Sequence, residues 1–157
     1  MKIGIMADSH DNLNAIRRAL DVFRSHGVEA IVHAGDVVAP FAAKAVARFT
    51  GPVHAVFGNN DGERKGLAKV LDIVAPPRTI ALGGRTILVA HDEAEVARPS
   101  PGVHVVVTGH SHEPAIVPGA PLRINPGETG GWLKGRATCV VLDLDTLQGE
   151  LCELGGP

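Results

Sequence analysis

The chain has 157 residues, of which 45% are hydrophobic and 20% charged, a composition ordinary for a soluble globular protein. This length fits one domain, and we expect a single domain over residues 1–157. The formal net charge is −2 and the basic residues are scattered, which disfavours duplex nucleic acid as a partner. No apolar run approaches the roughly 20 residues of a membrane span, and residues 1–8 are unlike a signal peptide. We therefore expect no membrane partner and a cytoplasmic location.

The first half alternates strand and helix patterns. An apolar run over residues 2–7 predicts a strand. Asn12 is a suitable cap for a helix that closes at His26-Gly27, with apolar positions at helical spacing at Leu13, Ile16, Leu20 and Phe23. Residues 29–34 predict a second strand, Pro40 begins a helix through about residue 49, and residues 52–56 predict a third strand. This β-α-β-α-β order predicts a mostly parallel sheet with right-handed crossovers.

The second half has the pattern of short strands between Gly/Pro turns. After a short helix over residues 62–70, we expect strands at 78–82, 85–90, 103–108, 115–117, 122–125, 137–142 and 150–154. Gly83-Gly84 suits a tight hairpin. A hairpin around residues 145–147 would bring Cys139 and Cys152 close together, and we expect both to be free, buried thiols.

Polar clusters follow five of the predicted strands, at the point where each strand ends. They are Asp8-Ser9-His10, Gly35-Asp36, Gly58-Asn59-Asn60-Asp61, His91-Asp92 and Gly109-His110-Ser111-His112. In open α/β sheets, ligands bind beyond the carboxyl ends of the strands. We therefore expect these side chains to gather at one edge.

The residue types in these clusters favour a metal site. Residues at i and i+2 on an extended chain point the same way, so Asp8 pairs with His10 and His110 with His112. Carboxylate, imidazole and amide oxygen without thiolate suit a divalent Mn, Fe, Zn or Ni ion. Seven ligands exceed the needs of one ion with open positions, and they suit two ions about 3.5–4 Å apart.

Each cluster has a simpler interpretation when taken alone. Asp8 or Asn59 is typical of a helix cap or a turn, and His110 and His112 are compatible with loop histidines bonded to backbone. The co-occurrence of five such clusters, each at a strand end, favours the metal interpretation.

The other histidines lack this support. His26 is interpreted as a cation at a helix C-terminus, while His54 and His104 are interpreted as structural or surface residues. His33 either supports the site from behind or only packs, and packing is favoured. Ser9 and Ser111 have no obvious base beside them outside the proposed ligands.

In this order, the motifs D-x-H, G-D, G-N-x-D, H and G-H-x-H resemble those of the calcineurin-like metallophosphoesterases. The short length and the segment Asn125-Pro126-Gly127 resemble the small YfcE-type phosphodiesterase branch. The resemblance implies an α/β fold in which a two-sheet β-sandwich is flanked by helices (αββα). It also implies that one metal is held by Asp8, His10, Asp36 and His112. Asp36 would bridge to a second metal completed by Asn59, His91 and His110, and manganese is favoured for both ions.

Two departures from the family pattern bear on activity. Many relatives have a histidine at the position of Asn60, where it assists the leaving group. An amide is no acid, although it can bond a phosphoryl oxygen, so substrates with poor leaving groups should be affected most. Asp61 is expected to fix the turn. The segment from His91 to Gly109 also leaves little room for the helix common in relatives, and it adds the acids Asp92 and Glu93, which would repel an anionic substrate.

Together these features predict a dinuclear-metal-dependent phosphodiesterase that acts on a small substrate through a metal-bridging hydroxide. One alternative is a non-catalytic interaction scaffold, like the retromer subunit that shares this fold, and retention of every ligand disfavours it. A second alternative is a phosphomonoesterase, which Asn60 disfavours. The substrate's identity, the metal and a homo-oligomeric state are left open.

Overall fold

The computed structural model describes residues 1–96 and 98–155. Its helices are α1 (Leu13–Ser25), α2 (Pro40–Val46), α3 (Arg64–Ala68) and a 3₁₀ helix over Glu93–Val96. The strands are β1 (Lys2–Met6), β2 (Ala30–His33), β3 (Val53–Val56), β4 (Asp72–Val74), β5 (Arg78–Leu82), β6 (Arg85–Val89), β7 (Val105–Val107), β8 (Ala115–Val117), β9 (Leu122–Asn125), β10 (Thr138–Asp143) and β11 (Gln148–Glu153).

The strands form two mixed sheets. The six-stranded sheet has the order β11-β10-β1-β2-β3-β4, in which β1 to β4 are parallel and β10 and β11 are antiparallel additions. The five-stranded sheet has the order β5-β6-β7-β9-β8, with β6, β7 and β9 parallel and an antiparallel strand at each edge. The mostly parallel first sheet and the two-sheet architecture were both expected.

Two apolar layers hold the sheets and helices together. One lies between the sheets and joins Ile3 and Ile5 of β1 to Ile87 of β6 and Val105 of β7. The other lies on the opposite face of the six-stranded sheet, beneath α1 and α2. The principal helices cover the six-stranded sheet, and the 3₁₀ helix packs Val96 against Ala90 and Val106 at the five-stranded sheet. The fold is therefore a two-sheet sandwich flanked by helices, and the predicted αββα class is confirmed.

The first helix begins and ends as the sequence predicts. The Asn12 side chain accepts a hydrogen bond from the Ala15 amide at 3.1 Å, and His26 is the C-terminal cap. Of the four predicted apolar positions, Leu13 is 38% exposed because it lies in the first turn beside solvent, and the other three are buried.

Other boundaries differ from the predictions. α2 ends at Val46, before the predicted end near residue 49, and α3 covers only the centre of the predicted 62–70 helix. β4 was not predicted, because only Ile73 of its three residues is buried and so small a pattern carries no periodicity.

The predicted cysteine arrangement is confirmed. Antiparallel pairing of β10 and β11 places Cys139 directly opposite Cys152, and both thiols are free and buried. Burial raises the pKa of the Cys139 thiol well above its usual value. No helix in the described ranges has the length and apolar character that crossing a bilayer requires.

Candidate metal centre

All seven predicted ligands lie at one end of the sandwich. Asp8, Asp36 and Asn59 follow β1, β2 and β3 in the first sheet, while His91 and His110 follow β6 and β7 in the second. Because parallel strands present their carboxyl ends at the same edge, both sheets contribute side chains to a shared space.

The first group of ligand atoms surrounds Asp8. The ligand atoms of Asp8, His10 and His112 all lie within 4.8 Å of one another. His112 Nε2 is 3.4 Å and His10 Nε2 is 3.9 Å from Asp8 Oδ1. These three side chains therefore converge on one point.

The second group surrounds Asn59. Its Oδ1 atom lies 2.8 Å from His91 Nε2 and 3.0 Å from His110 Nδ1. Asp36 lies between the groups, since its Oδ2 atom is 3.5 Å from His91 Nε2 and 3.7 Å from His10 Nε2. The structure thus brings all seven residues together as two groups that share one carboxylate.

Unpaired buried atoms show that this space suits a cation. Within the described ranges, Asp8 Oδ1 and His10 Nε2 are buried and have no hydrogen-bond partner. A buried polar atom left unpaired costs about 1–3 kcal/mol, so such atoms call for an explanation. Carboxylate oxygen and imidazole nitrogen aimed at one point fit a divalent metal ion.

The backbone around the ligands is strained. Five of the seven have positive φ, namely Asp8 (51°), His10 (39°), Asp36 (59°), His110 (66°) and His112 (60°). Non-glycine residues in this region are uncommon, and they concentrate at functional sites where the surrounding structure holds them.

Neighbouring glycines permit the close packing of the ligands. A Cβ atom on Gly35 would lie 2.6 Å from His91 Nδ1, and one on Gly109 would lie 2.8 Å from Asp8 Oδ2. A Cβ atom on Gly58 would overlap the Asp36 carboxylate. The glycine of each G-D, G-N and G-H pair is therefore needed for space.

Asp61 fixes its turn, as predicted, and also reaches beyond it. Its carboxylate accepts hydrogen bonds from the amides of Gly58 (2.7 Å), Asp36 (3.1 Å) and Val38 (2.7 Å). One buried side chain therefore ties the loop after β2 to the loop after β3.

Asn60 contacts the shared carboxylate. Its Nδ2 atom donates to Asp36 Oδ2 at 2.7 Å, and its backbone amide donates to Asp36 Oδ1 at 2.8 Å. Asn60 thus orients Asp36 in this structure, and its contact with a phosphoryl oxygen stays a prediction.

The ionisable groups are strongly coupled to one another. Burial raises the pKa of Asp8 to about 6. Burial also acts to raise the pKa of Asp36, but hydrogen bonds from His91 and Asn60 prevail and hold it well below its usual range. Burial opposes the cationic form of His91, yet the Asp36 carboxylate and the Ala34 carbonyl raise its pKa to about 9. A metal at this position competes with that proton.

Glu128 is a site residue that the sequence did not reveal. It is fully buried, and its carboxylate accepts hydrogen bonds from the amides of Trp132, Leu133 and Lys134. Its Oε2 atom lies 3.5 Å from His112 Nδ1, which is an ion-pair distance without a hydrogen bond. The buried charge of Glu128 therefore lies next to the ring of a proposed ligand. The only signal in the sequence is an acid directly after Asn125-Pro126-Gly127.

His33 has a larger role than the packing that was favoured for it. Its Nδ1 accepts from the Gly35 amide at 3.2 Å, so the proton of the neutral ring is on Nε2, 3.1 Å from Ser9 Oγ. Ser9 does therefore have a histidine beside it. The Nε2 atom of His33 carries a proton, however, and Ser9 is fully buried. The pair holds the loops after β1 and β2 and is no nucleophile–base pair.

The segment after β6 accommodates a short helix. The 3₁₀ helix Glu93–Val96 occupies part of the connection in which little room was expected. Glu95 Oε2 accepts from the amides of His91 (3.2 Å) and Asp92 (3.1 Å), which fixes the loop that carries the ligand. Glu93 pairs with Arg123, so its charge is partly neutralised.

Asn125 supports the last ligand loop. Its Nδ2 atom donates to the Gly109 carbonyl at 2.8 Å and to Ser111 Oγ at 3.0 Å, while its Oδ1 atom accepts from the Gly127 amide. The Asn-Pro-Gly segment therefore holds the G-H-x-H loop in place.

Clefts adjoin the ligand groups on two sides. One, of about 290 Å³, is lined by residues that include Phe57, Arg64, His91 and His110. Another, of about 250 Å³, is lined by His10, Glu128, Trp132 and Leu133. Each cleft is bordered by at least one proposed ligand, so a small ligand beside the centre has room on either side.

Comparison with known families agrees with this geometry. The sequence model of the calcineurin-like phosphoesterase superfamily domain matches residues 1–147. The chain therefore belongs to the calcineurin-like phosphoesterase superfamily, and the predicted class of phosphoric ester hydrolase is confirmed.

One sequence relative and two solved structures agree on the branch within that superfamily. Phosphodiesterase MJ0936 of Methanocaldococcus jannaschii is 35% identical over 156 residues, which is 92% of this chain and 94% of that protein. The structure of an archaeal phosphodiesterase has a TM-score of 0.90 at 34% identity and covers 98% of this chain and 99% of that one. Escherichia coli YfcE, a phosphoesterase, has a TM-score of 0.71 at 24% identity and covers 99% and 100%. The predicted branch is confirmed.

Proposed function

We propose that the chain hydrolyses the phosphodiester bonds of a small substrate, using two divalent cations held by the seven ligand residues. The observation that carries the proposal is the arrangement of two groups of ligand atoms around one shared carboxylate, that of Asp36. Similarity to an archaeal phosphodiesterase, in sequence and in structure, supports cleavage of diesters.

The residues divide between the two cations as the family resemblance implies. Asp8, His10, Asp36 and His112 would hold one, and Asp36, Asn59, His91 and His110 would hold the other. Bound cations would supply a water of lowered pKa and neutralise charge on the phosphoryl oxygens. Oxygen and nitrogen ligands suit several ions, and manganese is the one we favour.

The protein's own groups set the geometry of this chemistry. Asp61 and Asn60 hold Asp36 between the two groups, and the Ala34 carbonyl 2.8 Å from His91 Nδ1 fixes His91. The Glu128 carboxylate lies at ion-pair distance from the ring of His112. Asn60 is the residue we assign to the leaving-group side of the substrate. Because an amide is no general acid, activated leaving groups are favoured over poor ones.

The complete ligand set favours an enzyme over an interaction scaffold. A scaffold needs no converging set of carboxylates and imidazoles, whereas buried atoms without a partner, such as Asp8 Oδ1, are costly when they serve no purpose. A phosphomonoesterase is disfavoured by Asn60. The cytoplasmic location stays a prediction, and a homo-oligomeric state stays open.

Substitution of the shared carboxylate tests the proposal. Asp36→Asn keeps the shape of the side chain but removes its charge, so both metal stoichiometry, measured by elemental analysis after dialysis, and diester hydrolysis should fall sharply. Asp21→Asn is a matched control, because Asp21 is an exposed residue of α1 that pairs with Arg24. Wild-type metal content in Asp36→Asn would refute the bridging assignment.

A further inference from the structure

A second group of metal-ligating side chains lies at the other end of α1. The ligand atoms of His26, Glu150 and Cys152 all lie within 4.8 Å of one another. His26 caps the C-terminus of α1, whose 13 residues span about 20 Å from the Asn12 end beside the candidate metal centre. Glu150 and Cys152 are two residues apart on β11, so both point to the same face.

The hydrogen bonds of His26 leave one ring nitrogen available. Its Nδ1 atom lies 2.8 Å from the Val22 carbonyl oxygen, which only accepts, so Nδ1 carries the proton. Ser25 Oγ is 3.2 Å from the same nitrogen, but it donates its own proton to Val22 and therefore also accepts from the ring. In the neutral ring the lone pair is on Nε2, which lies 3.8 Å from Glu150 Oε2.

A bond from one ring nitrogen to a backbone carbonyl is the usual support for a histidine that binds metal through the other nitrogen. A protonated imidazole paired with Glu150 is the alternative explanation. With side chains 31% and 67% exposed, such a pair contributes at most about 1 kcal/mol. That pair gives no role to the third member of the group.

Cys152 supplies that third member. Its residue is 9% exposed, at the boundary between the apolar layer and the His26–Glu150 pair. Thiolate, imidazole and carboxylate are the three ligand types of zinc, at bond lengths that place ligand atoms about 3.3–3.6 Å apart in a tetrahedron. The 3.8 Å separation of His26 Nε2 and Glu150 Oε2 is near this value, and the exposed Glu150 side chain is free to adjust.

We propose that His26, Glu150 and Cys152 bind a zinc-type divalent ion, with water as the fourth ligand. The ion would tie the C-terminal end of α1 to the edge strand β11. It takes no part in the phosphodiester chemistry at the opposite end of α1. The proposal is also independent of that function, because the candidate metal centre has no sulfur ligand and a thiolate signal reports on this group alone.

The test is a titration of the reduced full-length protein with Cd²⁺, followed by the ultraviolet charge-transfer band of a cadmium–thiolate bond. We expect the intensity of the band to saturate at the value of a single cadmium–thiolate bond per ion. The band should disappear in Cys152→Ser. Glu150→Gln and His26→Gln should weaken the affinity read from the band at least tenfold. Since Glu150 is exposed, its variant keeps the fold even if the cysteine variant does not.

Two controls separate this group from its neighbours. Cys139→Ser removes the opposing thiol, and Glu153→Gln changes a carboxylate of the same strand that pairs with Arg136. Both variants should give the same cadmium–thiolate band and the same Cd²⁺ affinity as the wild type. The proposal is overturned if the wild type gives no band, if the band survives in Cys152→Ser or is lost in Cys139→Ser, or if Glu150→Gln and His26→Gln bind as tightly as the wild type.

Discussion

At the scale of single residues, Asp36 is held by several contacts at once in the candidate metal centre. Its carboxylate accepts two hydrogen bonds from Asn60, lies near His10 and His91, and stands on a backbone with a φ of 59°. The Asp61 carboxylate holds the Asp36 amide from the other side. These contacts maintain a conformation that costs about 1–3 kcal/mol in isolation.

A general acid introduced beside Asp36 should extend hydrolysis to substrates with poorer leaving groups. In Asn60→His, we expect the rate on an unactivated alkyl phosphodiester to rise about 10²-fold, the lower end of what general acid catalysis contributes. The rate on an activated aryl diester should change little, because its leaving group needs no proton. Steady-state kinetics on both substrates measure the difference.

Metal content must be measured alongside those rates, since Asn60 also bonds Asp36. If the variant with full metal content shows no selective gain on the alkyl diester, Asn60 does not face the leaving group.

His33 makes the stability of the protein depend on pH. Burial lowers its pKa from 6.5 to about 3, so the unfolded chain binds this proton more readily than the folded one. The neutral His33 side chain makes its full contribution to the free energy of unfolding above pH 6.5. As the pH drops from 6.5 toward 3, the free energy of unfolding should fall by up to about 1.4 kcal/mol per pH unit.

Urea unfolding of chelator-treated protein between pH 7 and 5 measures this effect. The contributions of the other titrating groups cancel in the difference in unfolding free energy between the wild type and His33→Gln. This difference should shrink as the pH falls. A difference that is constant with pH would show that His33 is not held neutral in the folded state.

The gathering of the proposed ligands at one edge was predictable from the sequence, whereas the contacts of Glu128 and His33 were not. Asp8, Asp36 and His110 each follow an apolar run, so a local pattern identifies both the residue type and its place at a strand end. Glu128 and His33 act through contacts with His112 and Ser9, which are distant in sequence. Only the packing of the two sheets brings those partners together.

At the scale of structural elements, the loop after β9 supports the first ligand group. Glu128 gathers three successive amides of residues 132–134 around its carboxylate, and the Trp132 indole donates to the His10 carbonyl at 3.1 Å. The loop therefore contacts both His10 and His112 without supplying a ligand.

Removing the charge of Glu128 should weaken metal binding rather than abolish it. In Glu128→Gln we expect a metal affinity about 10–100-fold lower, because His112 loses the negative charge next to its ring. Isothermal titration with Mn²⁺ gives the affinity directly, and excess Mn²⁺ should restore much of the hydrolysis rate.

Glu113→Gln is the control for this variant, since Glu113 is an exposed acid that pairs with Lys134 of the same loop. Equal losses of affinity in the two variants would indicate a general effect of charge on the loop.

Element boundaries reflect tertiary contacts more than local pattern. The three-residue strand β4 exists because it pairs with β3 at the sheet edge, and the 3₁₀ helix Glu93–Val96 packs Val96 against Ala90 and Val106. Neither segment is long enough for a periodic pattern to show in the sequence. Longer elements such as α1 were predictable because one apolar face repeats over several turns.

At the scale of the whole molecule, the sandwich brings the ends of two sheets to one place. The first sheet supplies Asp8, Asp36 and Asn59, and the second supplies His91 and His110, across the apolar layer that joins the sheets. Neither sheet alone has a complete ligand group. Assembly of the centre therefore depends on the packing of the whole sandwich.

The central claim is that this assembled centre hydrolyses phosphodiesters with bound metal. The most direct measurement is the initial rate on an aryl phosphodiester and on the matching monoester, with metal-stripped protein before and after Mn²⁺ is added back. We predict diester hydrolysis only when metal is present, with the monoester cleaved more slowly, as similarity to phosphodiesterases supports. Monoester hydrolysis at an equal or greater rate would contradict the diester preference, and no turnover of either substrate by protein that binds no metal would contradict the claim itself.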